Sequence, residues 1–398
     1  MSSTTSQFFT CPFCNLYCQD LQVPSPGSGK PMWQPGCPLA KASFDQLPEG
    51  TLLPQYAGAP LDWDEAFRQA QHLVQAAHMP LVVLSGEASC EAQCAGVELA
   101  RRLHARADTP LSRFGLVLPL ASIDPGYVTC TLGEAARNAD EVLFWGCRPE
   151  ESHPRLLERL GRVDGHSTFA IHYGAHSSAS NSLWLKPGET IPFIEQLRLL
   201  ARGEMSPDSL QELKSLIDIL MSAHYGVLFY GEELLAEGRH ALAELFRLLD
   251  DLKGKGRWHA VYLSPAGNAL GAAEALSRVT GFAQTVRFAE KGAEFVPQDG
   301  NAEDILSHGA TDLVIFVGQP ARLSEARMKY LEEIPSITLS SVAPAYKTMW
   351  LPVAQTGIHA DGTLIRLDGV MMSLSTILHS DQPRMEDLLG RFAEGEAS

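Results

Sequence analysis

The pattern of hydrophobic and polar positions along this chain predicts an α/β protein. Seven short runs are almost wholly apolar and end at a glycine or a polar residue, as is typical of strands buried in a parallel sheet. Segments with helical spacing separate several of these runs, and that alternation favours parallel sheets covered by helices. The seven runs are Pro80–Gly86, Glu141–Gly146, Thr168–Tyr173, Gly226–Gly231, His259–Leu263, Asp312–Gly318 and Ser336–Leu339.

Signals at helix ends predict three helices in the N-terminal part. Residues Leu61–Ala77 have helical periodicity, with Asp62 as the candidate N-cap and Glu65 three residues later, a variant of the capping box. A second helix is expected over Ser89–His104, directly after the first apolar run. The stretch Pro38–Phe44 predicts a short helix, because proline suits the first turn.

Turn signals dominate three other segments. Pro24–Pro31 is rich in proline, glycine and serine, which predicts an exposed loop. In Gly357–Val370, two Asp-Gly pairs flank an alternating strand, which predicts an exposed hairpin or loop. The sequence beyond Gln382 is polar, and we expect it to fray.

Composition narrows the function classes. With 398 residues the chain has room for two or three domains. The formal charge of −16 argues against a nucleic-acid partner, since no basic surface would displace phosphate counterions. No apolar run is long enough to span a bilayer and no leader is evident, so we expect a cytoplasmic protein without a membrane partner. Eight cysteines fit a reducing compartment.

Four cysteines near the N-terminus predict a metal site. Cys11, Cys14 and Cys18 lie in one short loop, and Cys37 follows after a longer gap. Four thiolates in such a pattern hold an iron–sulfur cluster or a structural zinc. Zinc ribbons usually pair two C-x-x-C knuckles, and only one is present here, so a 4Fe-4S cluster is favoured over zinc. The alternative is that the four cysteines are unrelated and bind no metal.

Two strand ends are candidates for an anion site. Gly146 and Gly318 each close an apolar run ahead of a helix, which is where open parallel sheets bind anionic ligands. No G-x-G-x-x-G is present, so for either glycine alone a simple turn is the better interpretation.

Several short stretches, spread over nearly the whole length, indicate a family resemblance when they are taken together. In them the chain resembles the B-type subunit of formylmethanofuran dehydrogenase, of the molybdopterin oxidoreductase superfamily, and especially its relative in the bacterial formyltransferase/hydrolase complex. The stretches are Cys11–Asp20, Ser89–Gln93, Thr129–Glu134, Trp145–Pro149 with Ser152–Arg155, and Asp361–Thr363 with Arg366–Gly369.

The resemblance implies a formate dehydrogenase or DMSO reductase type of fold. An N-terminal four-cysteine lobe, residues 1–56, would be followed by two doubly wound parallel-sheet domains. The first would comprise 57–137 and 310–398, and the second, 138–309, would be inserted into it.

The same resemblance implies that a metal ligand has been lost. Redox-active members bind a molybdenum or tungsten pterin, and a cysteine or selenocysteine from the loop after the first β-α unit coordinates the metal. The corresponding loop here is Asp108–Val117, which has no cysteine. Ser112 is the nearest substitute, since related enzymes can use a serine. We therefore expect the pterin to be absent and its cleft to be vestigial. The residues that the resemblance places in that cleft are Gly146, His153, Arg155, Gly318, Asp361, Gly362 and Thr363.

The function implied is that of a non-catalytic, structural component of a formyltransferase/hydrolase complex. Such complexes move a formyl group from formyl-tetrahydromethanopterin to methanofuran and hydrolyse it to formate. The implied partners are an amidohydrolase-like hydrolytic subunit, a formyltransferase subunit and a further subunit. The alternative is an active formylmethanofuran or formate oxidoreductase subunit with a molybdenum or tungsten pterin and a 4Fe-4S cluster. A third class is a binding module whose metal only stabilises the N-terminal lobe.

Overall fold

The structure is a computed structural model that describes residues 8–22, 36–48, 50–161, 168–173, 181–206, 213–253, 256–264, 267–320 and 325–394. The predicted loop at Pro24–Pro31 lies outside the described residues.

The strands of the described part are named in chain order. They are β1 Phe8–Phe9, β2 Leu21–Gln22, β3 Gln55–Tyr56, β4 Ala59–Pro60, β5 Pro80–Leu84, β6 Arg106–Asp108, β7 Glu141–Trp145, β8 Thr168–His172, β9 Asn181–Trp184, β10 Tyr225–Tyr230, β11 Arg257–Tyr262, β12 Val286–Ala289, β13 Gly292–Phe295, β14 Leu313–Val317, β15 Ser336–Ser340, β16 Met349–Pro352, β17 Gly362–Ile365 and β18 Met371–Leu374.

The α-helices are named in the same way, and short 3-10 helices lie at Pro110–Phe114 and Pro297–Asp299. The α-helices are α1 Pro38–Gln46, α2 Trp63–Ala76, α3 Cys90–Arg102, α4 Val117–Ser122, α5 Leu132–Asn138, α6 Pro149–Ser152, α7 Leu156–Arg159, α8 Thr190–Ala201, α9 Lys214–Ser222, α10 Glu232–Ala236, α11 Arg239–Asp251, α12 Ala269–Thr280, α13 Ala302–Ser307, α14 Glu325–Leu331 and α15 Met385–Glu394.

The chain divides into two compact units. Unit 1 comprises 1–115, 266–366 and 371–398, and unit 2 comprises 116–265 and 367–370. All seven predicted apolar runs are strands, three of them in unit 1 and four in unit 2. The α/β fold class with parallel sheets is therefore confirmed, whereas the domain boundaries implied by the resemblance stay a prediction.

Unit 1 is built on a nine-stranded sheet. Its order is β13-β12-β6-β5-β14-β15-β16-β3-β4, and the strands from β6 to β16 run parallel while the edges are antiparallel. Successive side chains of a strand point to opposite faces of the sheet, and here both faces are covered. Val82 and Leu84 pack with α2, α3, α12 and α15 on one face, whereas Leu81 packs with α13 and Leu331 on the other.

Unit 2 is built on a five-stranded sheet in which every pairing is parallel. Its order is β11-β10-β7-β8-β9. The central strand β7 is buried from Val142 to Trp145, and Phe144 stacks on Phe229 of β10 at 5.7 Å between ring centroids. Beside the sheet, Arg198 of α8 donates to Asp251 of α11 at 2.7 Å, which ties these two helices together.

The predicted helix starts are confirmed. The Asp62 side chain accepts a hydrogen bond from the Glu65 N–H at 2.8 Å and begins α2, and the Ser89 hydroxyl caps α3 through the Ala92 N–H at 3.1 Å. The predicted hairpin is also present, because β17 pairs antiparallel with β18 around the Asp368-Gly369 turn.

The expectation that the chain frays beyond Gln382 is wrong. Residues Met385–Glu394 form α15, and its buried side chains recur with helical spacing. Phe392 stacks on Phe67 of α2 with 4.8 Å between the ring centroids. The segment is amphipathic, and its polar residues face away from the core of unit 1. The side chains of α15 in the core are Met385, Leu388, Leu389 and Phe392.

Candidate functional site

The first three cysteines lie in a tight loop between two short paired strands. Strand β1 pairs antiparallel with β2, and between them the Cys11 N–H donates to the Cys18 carbonyl at 2.9 Å. The Tyr17 N–H donates to the Cys14 carbonyl at 3.1 Å, and Tyr17 itself has a left-handed φ of 44°. These backbone bonds fold the loop back on itself, so that cysteines three and four residues apart share one small region.

Cys37 joins this region at the start of a helix. It is the N-cap of α1, where its Sγ accepts the Ala40 N–H at 3.4 Å and Pro38 occupies the first turn. The ring of Phe44 on α1 packs edge-on against Phe13 of the cysteine loop, with 4.8 Å between centroids. The predicted short helix is thus confirmed, and it is packed directly on the loop.

The four thiols are soft donors of the type that holds iron–sulfur clusters and zinc. Cys11 and Cys18 are buried, while Cys14 and Cys37 are partly exposed. Burial raises the pKa of the Cys11 thiol, and the nearby sulfurs of Cys14, Cys18 and Cys37 raise it further. However, within the described ranges no three His, Cys, Asp or Glu side chains are arranged to hold a metal ion. Four thiols are the right kind of donor for a metal or an iron–sulfur cluster, but their sulfur atoms are not placed around a common point here. Metal binding by these residues stays a prediction.

The loop that would carry a metal ligand in redox relatives is fixed by a buried carboxylate. Asp108 ends β6 and is fully buried, and it accepts hydrogen bonds from the Ser112 hydroxyl at 2.6 Å, the Ala302 N–H at 2.6 Å and the Thr285 N–H at 3.0 Å. Burial raises the pKa of Asp108 to about 6, although these hydrogen bonds act to lower it.

The Ser112 side chain therefore has a structural role. Its side chain is 3% exposed, and its hydroxyl also lies 2.9 Å from the Thr109 carbonyl. The hydroxyl closes the 3-10 turn of this loop, and it does not face an open cleft. The substitute ligand considered from the sequence is thus an internal hydrogen-bond donor.

The switch point of the unit 1 sheet lies between β5 and β14. The chain proceeds from β5 to β6 in one direction and from β14 to β15 in the other, and ligands of open α/β sheets bind in the crevice at such a point. Here the two strand ends touch. The Ser85 N–H donates to the Val317 carbonyl at 3.0 Å, and Gly318 (φ 92°) packs so closely that a Cβ would lie 2.2 Å from the Ser85 Oγ.

Two further predicted cleft residues lie against the same turn of unit 1. The Thr363 N–H donates to the Glu91 carboxylate at 3.0 Å, and a Cβ on Gly362 would lie 3.1 Å from the Cβ of Ser89. Asp361 is engaged elsewhere, since its carboxylate accepts the Thr376 N–H at 2.6 Å, and that bond lowers its pKa. The structure therefore gathers Gly318, Gly362 and Thr363 around residues 85–91.

The switch point of unit 2 lies between β7 and β10, and it is closed in the same way. The Gly231 N–H donates to the Trp145 carbonyl at 3.0 Å, and the Glu233 N–H donates to the Gly146 carbonyl at 3.2 Å. A Cβ on Gly146 (φ 60°) would lie 2.6 Å from the Leu234 nitrogen. The first turn of α10 thus packs directly against the end of β7.

His153 and Arg155, also in unit 2, are both buried. The His153 Nδ1 lies 2.8 Å from the Ser152 hydroxyl, and burial lowers the pKa of His153 to about 3, despite a hydrogen bond with the backbone of Ser264 that raises it. A neutral imidazole cannot act as a cationic phosphate contact at physiological pH. Arg155 pairs with Glu158, with 2.8 Å between its Nε and the carboxylate.

Comparisons with known proteins show which proteins this chain is similar to. Over 95% of this chain and 95% of the relative, the sequence is 24% identical to the B-type subunit of the tungsten-containing formylmethanofuran dehydrogenase 2 of Methanococcus maripaludis. The protein of the same name from Methanocaldococcus jannaschii is also 24% identical, over 95% of this chain and 94% of the relative. The chain is a homologue of the B-type subunits of formylmethanofuran dehydrogenase. No protein-family model matches it.

A solved structure shows the same fold. It is a chain from the formyltransferase/hydrolase complex of Methylorubrum extorquens in complex with methylofuran, with a TM-score of 0.71 and 20% sequence identity over 86% of this chain and 98% of that chain. The relatives found by sequence confirm the resemblance expected from the motifs, and the solved structure confirms the fold. In addition, no helix in the described part of this chain is long and apolar enough to cross a membrane.

Sequence reasoning missed two residues at the unit 1 switch point. Glu87 and Ser341 are joined by a hydrogen bond across 254 positions of the chain. Their local signals are weak, because a glutamate after a strand and a serine after a strand are both common. The only available hint was the Gly86-Glu87 step directly after the first apolar run.

Proposed function

We propose that this chain is a non-catalytic, structural subunit of a complex that transfers a formyl group from formyl-tetrahydromethanopterin to methanofuran and hydrolyses it to formate. The fold shared with a chain of a formyltransferase/hydrolase complex supports the proposal, as does homology to the B-type subunit of formylmethanofuran dehydrogenase. The coverage of 98% of the solved chain leaves no large part of that neighbour without a counterpart.

The observation that carries the proposal is the bond between Ser112 and Asp108. A tungsten or molybdenum pterin needs a soft or anionic protein ligand at its open position. The loop from Asp108 to Val117 contains no thiol, and its one serine donates its hydroxyl proton inward at 2.6 Å. A serine held in this way is not free to ligate a metal.

The closed switch points support the same conclusion independently. In each unit, the strand ends at the switch point are joined by a backbone hydrogen bond, and a glycine there packs closely against the neighbouring chain, Gly318 against Ser85 and Gly146 against Leu234. The close packing at Gly318 and Gly146 and the neutral ring of His153 support a chain that keeps the fold of a cofactor-binding family without a bound pterin.

The chemistry of the complex would then reside on other chains. An amidohydrolase-like subunit would perform hydrolysis, a formyltransferase subunit would perform transfer, and this chain with a further subunit would support them. Cys11, Cys14, Cys18 and Cys37 are the residues that would hold a 4Fe-4S cluster or a zinc ion, and a bound cluster would supply electron transfer. In this proposal the chain packs its cysteine loop against α1 and offers the other subunits a stable surface to bind.

One observation favours the alternative of an active oxidoreductase subunit. The four cysteines are all present and near one another, and the curated relatives are named as tungsten-containing enzymes. A cluster without a partner centre has no electrons to carry, so this set is unexplained by a purely structural role.

Activity assays separate the two functions. The purified complex is expected to transfer formyl groups and release formate, and it is expected not to reduce viologen dyes with formate or formylmethanofuran as the electron donor. Viologen reduction that scales with the amount of this chain would contradict the proposal.

A further inference from the structure

The side chain of Glu87 occupies the carboxyl ends of two neighbouring strands of unit 1. Glu87 follows β5, and its Oε2 accepts the Gln319 N–H at 2.5 Å, directly after β14. Its Oε1 lies 2.6 Å from the Ser341 hydroxyl and 3.3 Å from the Ser341 N–H, directly after β15. One carboxylate therefore receives donors from two strand ends.

This donor set has the chemistry of an oxyanion site. Two backbone N–H groups converge on one anionic group, as they do in phosphate-binding nests. The Ser341 hydroxyl shares its one proton between Glu87 and the Gln355 Oε1, which lies 2.5 Å away. The site lies beside the switch point between β5 and β14, where open α/β sheets bind ligands. Gly318 also leaves no side chain in front of the Gln319 N–H, since a Cβ there would meet Ser85 and Glu87.

A pocket borders this site at Ser341. Ser341 also lines a pocket of about 130 Å³, whose wall includes His359, Gln382 and the pair of His379 and Asp381, 3.3 Å apart. The Oε1 of Gln382 is buried without a hydrogen-bond partner in the described part of the chain, so the pocket wall is polar and incompletely satisfied. Ser341 is the residue that this pocket shares with the Glu87 site.

We propose that the ends of β14 and β15 form an oxyanion-binding site whose resident ligand is the chain's own Glu87 carboxylate. The class of ligand that fits is a small carboxylate or inorganic phosphate. Glu87 acts as a built-in occupant that stabilises the closed switch point, and truncation of its side chain opens the site. This inference does not depend on the formyl-transfer proposal.

Rescue by small anions tests the site. Glu87→Ala is expected to lower the melting temperature of the purified full chain by about 5 to 10 °C, because two backbone N–H groups lose their acceptor and the Ser341 hydroxyl is left with Gln355 alone. Acetate or formate at tens of millimolar is expected to restore at least half of that loss, and wild type is expected to gain less than 1 °C. Chloride and acetamide at equal concentration are the matched solutes. A parallel titration with inorganic phosphate distinguishes a site that takes phosphate from one limited to carboxylates.

Three variants serve as controls. Glu87→Gln fills the space with a neutral amide, so it is expected to lose stability without any rescue. Glu98→Ala removes a carboxylate of α3 that pairs only with exposed arginines, and acetate is expected to have no effect on it. Adding Ser341→Ala to Glu87→Ala is expected to weaken the rescue at least fivefold in acetate concentration. Equal responses of Glu87→Ala and wild type to acetate would overturn the proposal.

Hydrogen exchange gives a second measurement if Glu87→Ala does not fold. The amides of Gln319 and Ser341 are expected to exchange about tenfold faster in Glu87→Gln than in wild type, because the anionic acceptor is gone. Unchanged exchange at both amides would equally overturn the assignment.

Discussion

The hydroxyl of Ser112 donates a hydrogen bond to the carboxylate of Asp108, with 2.6 Å between the two oxygens. Asp108 also accepts two backbone N–H groups, from Thr285 and Ala302, in a fully buried position. Homologues named as tungsten-containing align over 95% of this chain. In this chain the loop between Asp108 and Ser112 is held by internal hydrogen bonds.

Asp108→Ala is expected to destabilise unit 1 by about 3 kcal/mol or more, because it leaves buried donors without a partner. Ser112→Ala removes only one donor and is expected to cost about 1 to 2 kcal/mol. Urea unfolding of both variants measures the difference. Equal, near-zero effects would show that the loop is not held by this carboxylate.

The raised pKa of Asp108 predicts a pH dependence. In the unfolded chain an aspartate titrates near pH 4, whereas burial raises the pKa of Asp108 to about 6 in the folded chain. Between these values the folded state binds more protons, so the contribution of Asp108 to stability is largest below about pH 4 and declines as the pH rises through 6. We compare the stability of wild type and Asp108→Asn at pH 4.5 and 7.5. Relative to the variant, wild type is expected to be less stable at pH 7.5 than at pH 4.5. A shift in the opposite direction would contradict the burial of an ionising carboxyl here.

His153 is expected to remain neutral between pH 5 and pH 8. Burial lowers its pKa to about 3, so the ring does not become a cation in this range. Its Cε1 proton resonance, assigned by comparison with His153→Gln, is expected to stay constant over these pH values. A midpoint near pH 6.5 would show an accessible ring that is able to contact a phosphate.

The closed switch point of unit 1 predicts a steric effect at Gly318. A Cβ there would lie 2.2 Å from the Ser85 Oγ, at a φ of 92°. Gly318→Ala is expected to cost about 2 to 4 kcal/mol from strain and overpacking together. Gly58→Ala is the matched control, because Gly58 has a similar φ of 82° and open space around it, so only about 1 kcal/mol is expected. Similar losses for the two variants in urea unfolding would indicate an open crevice.

The C-terminal helix predicts a large effect at a position where the sequence suggested fraying. Phe392→Ala is expected to cost about 3 to 5 kcal/mol, since Phe392 stacks on Phe67 in the core of unit 1. Met371, which is 69% exposed, provides a control whose substitution by alanine is expected to change stability by less than about 0.5 kcal/mol. A small effect of Phe392→Ala in urea unfolding would mean that α15 is not part of the core.

Local patterns predicted much of this fold, and nonlocal contacts account for the remainder. The apolar runs at β5, β14 and β15 were visible because strands buried on both faces need continuous hydrophobic residues. The two-residue strands β3 and β4 are too short to form a pattern. The spacing of Met385, Leu388, Leu389 and Phe392 is helical and was available in the sequence, but the polar residues between them obscured it.

The candidate site was less predictable than the fold. The cysteine positions and the Gly318 turn could be identified from residue type and spacing alone. The bonds from Glu87 to Gln319 and Ser341 join residues 232 and 254 positions apart, and no local signal encodes such a pairing.

Elemental analysis of the purified complex tests the central claim most directly. A chain whose metal-ligand loop is closed by Ser112 and Asp108 is expected to carry molybdenum and tungsten at far less than one atom per copy, whatever its content of iron or zinc. Either metal at close to one atom per chain would contradict the structural role and establish a working redox centre.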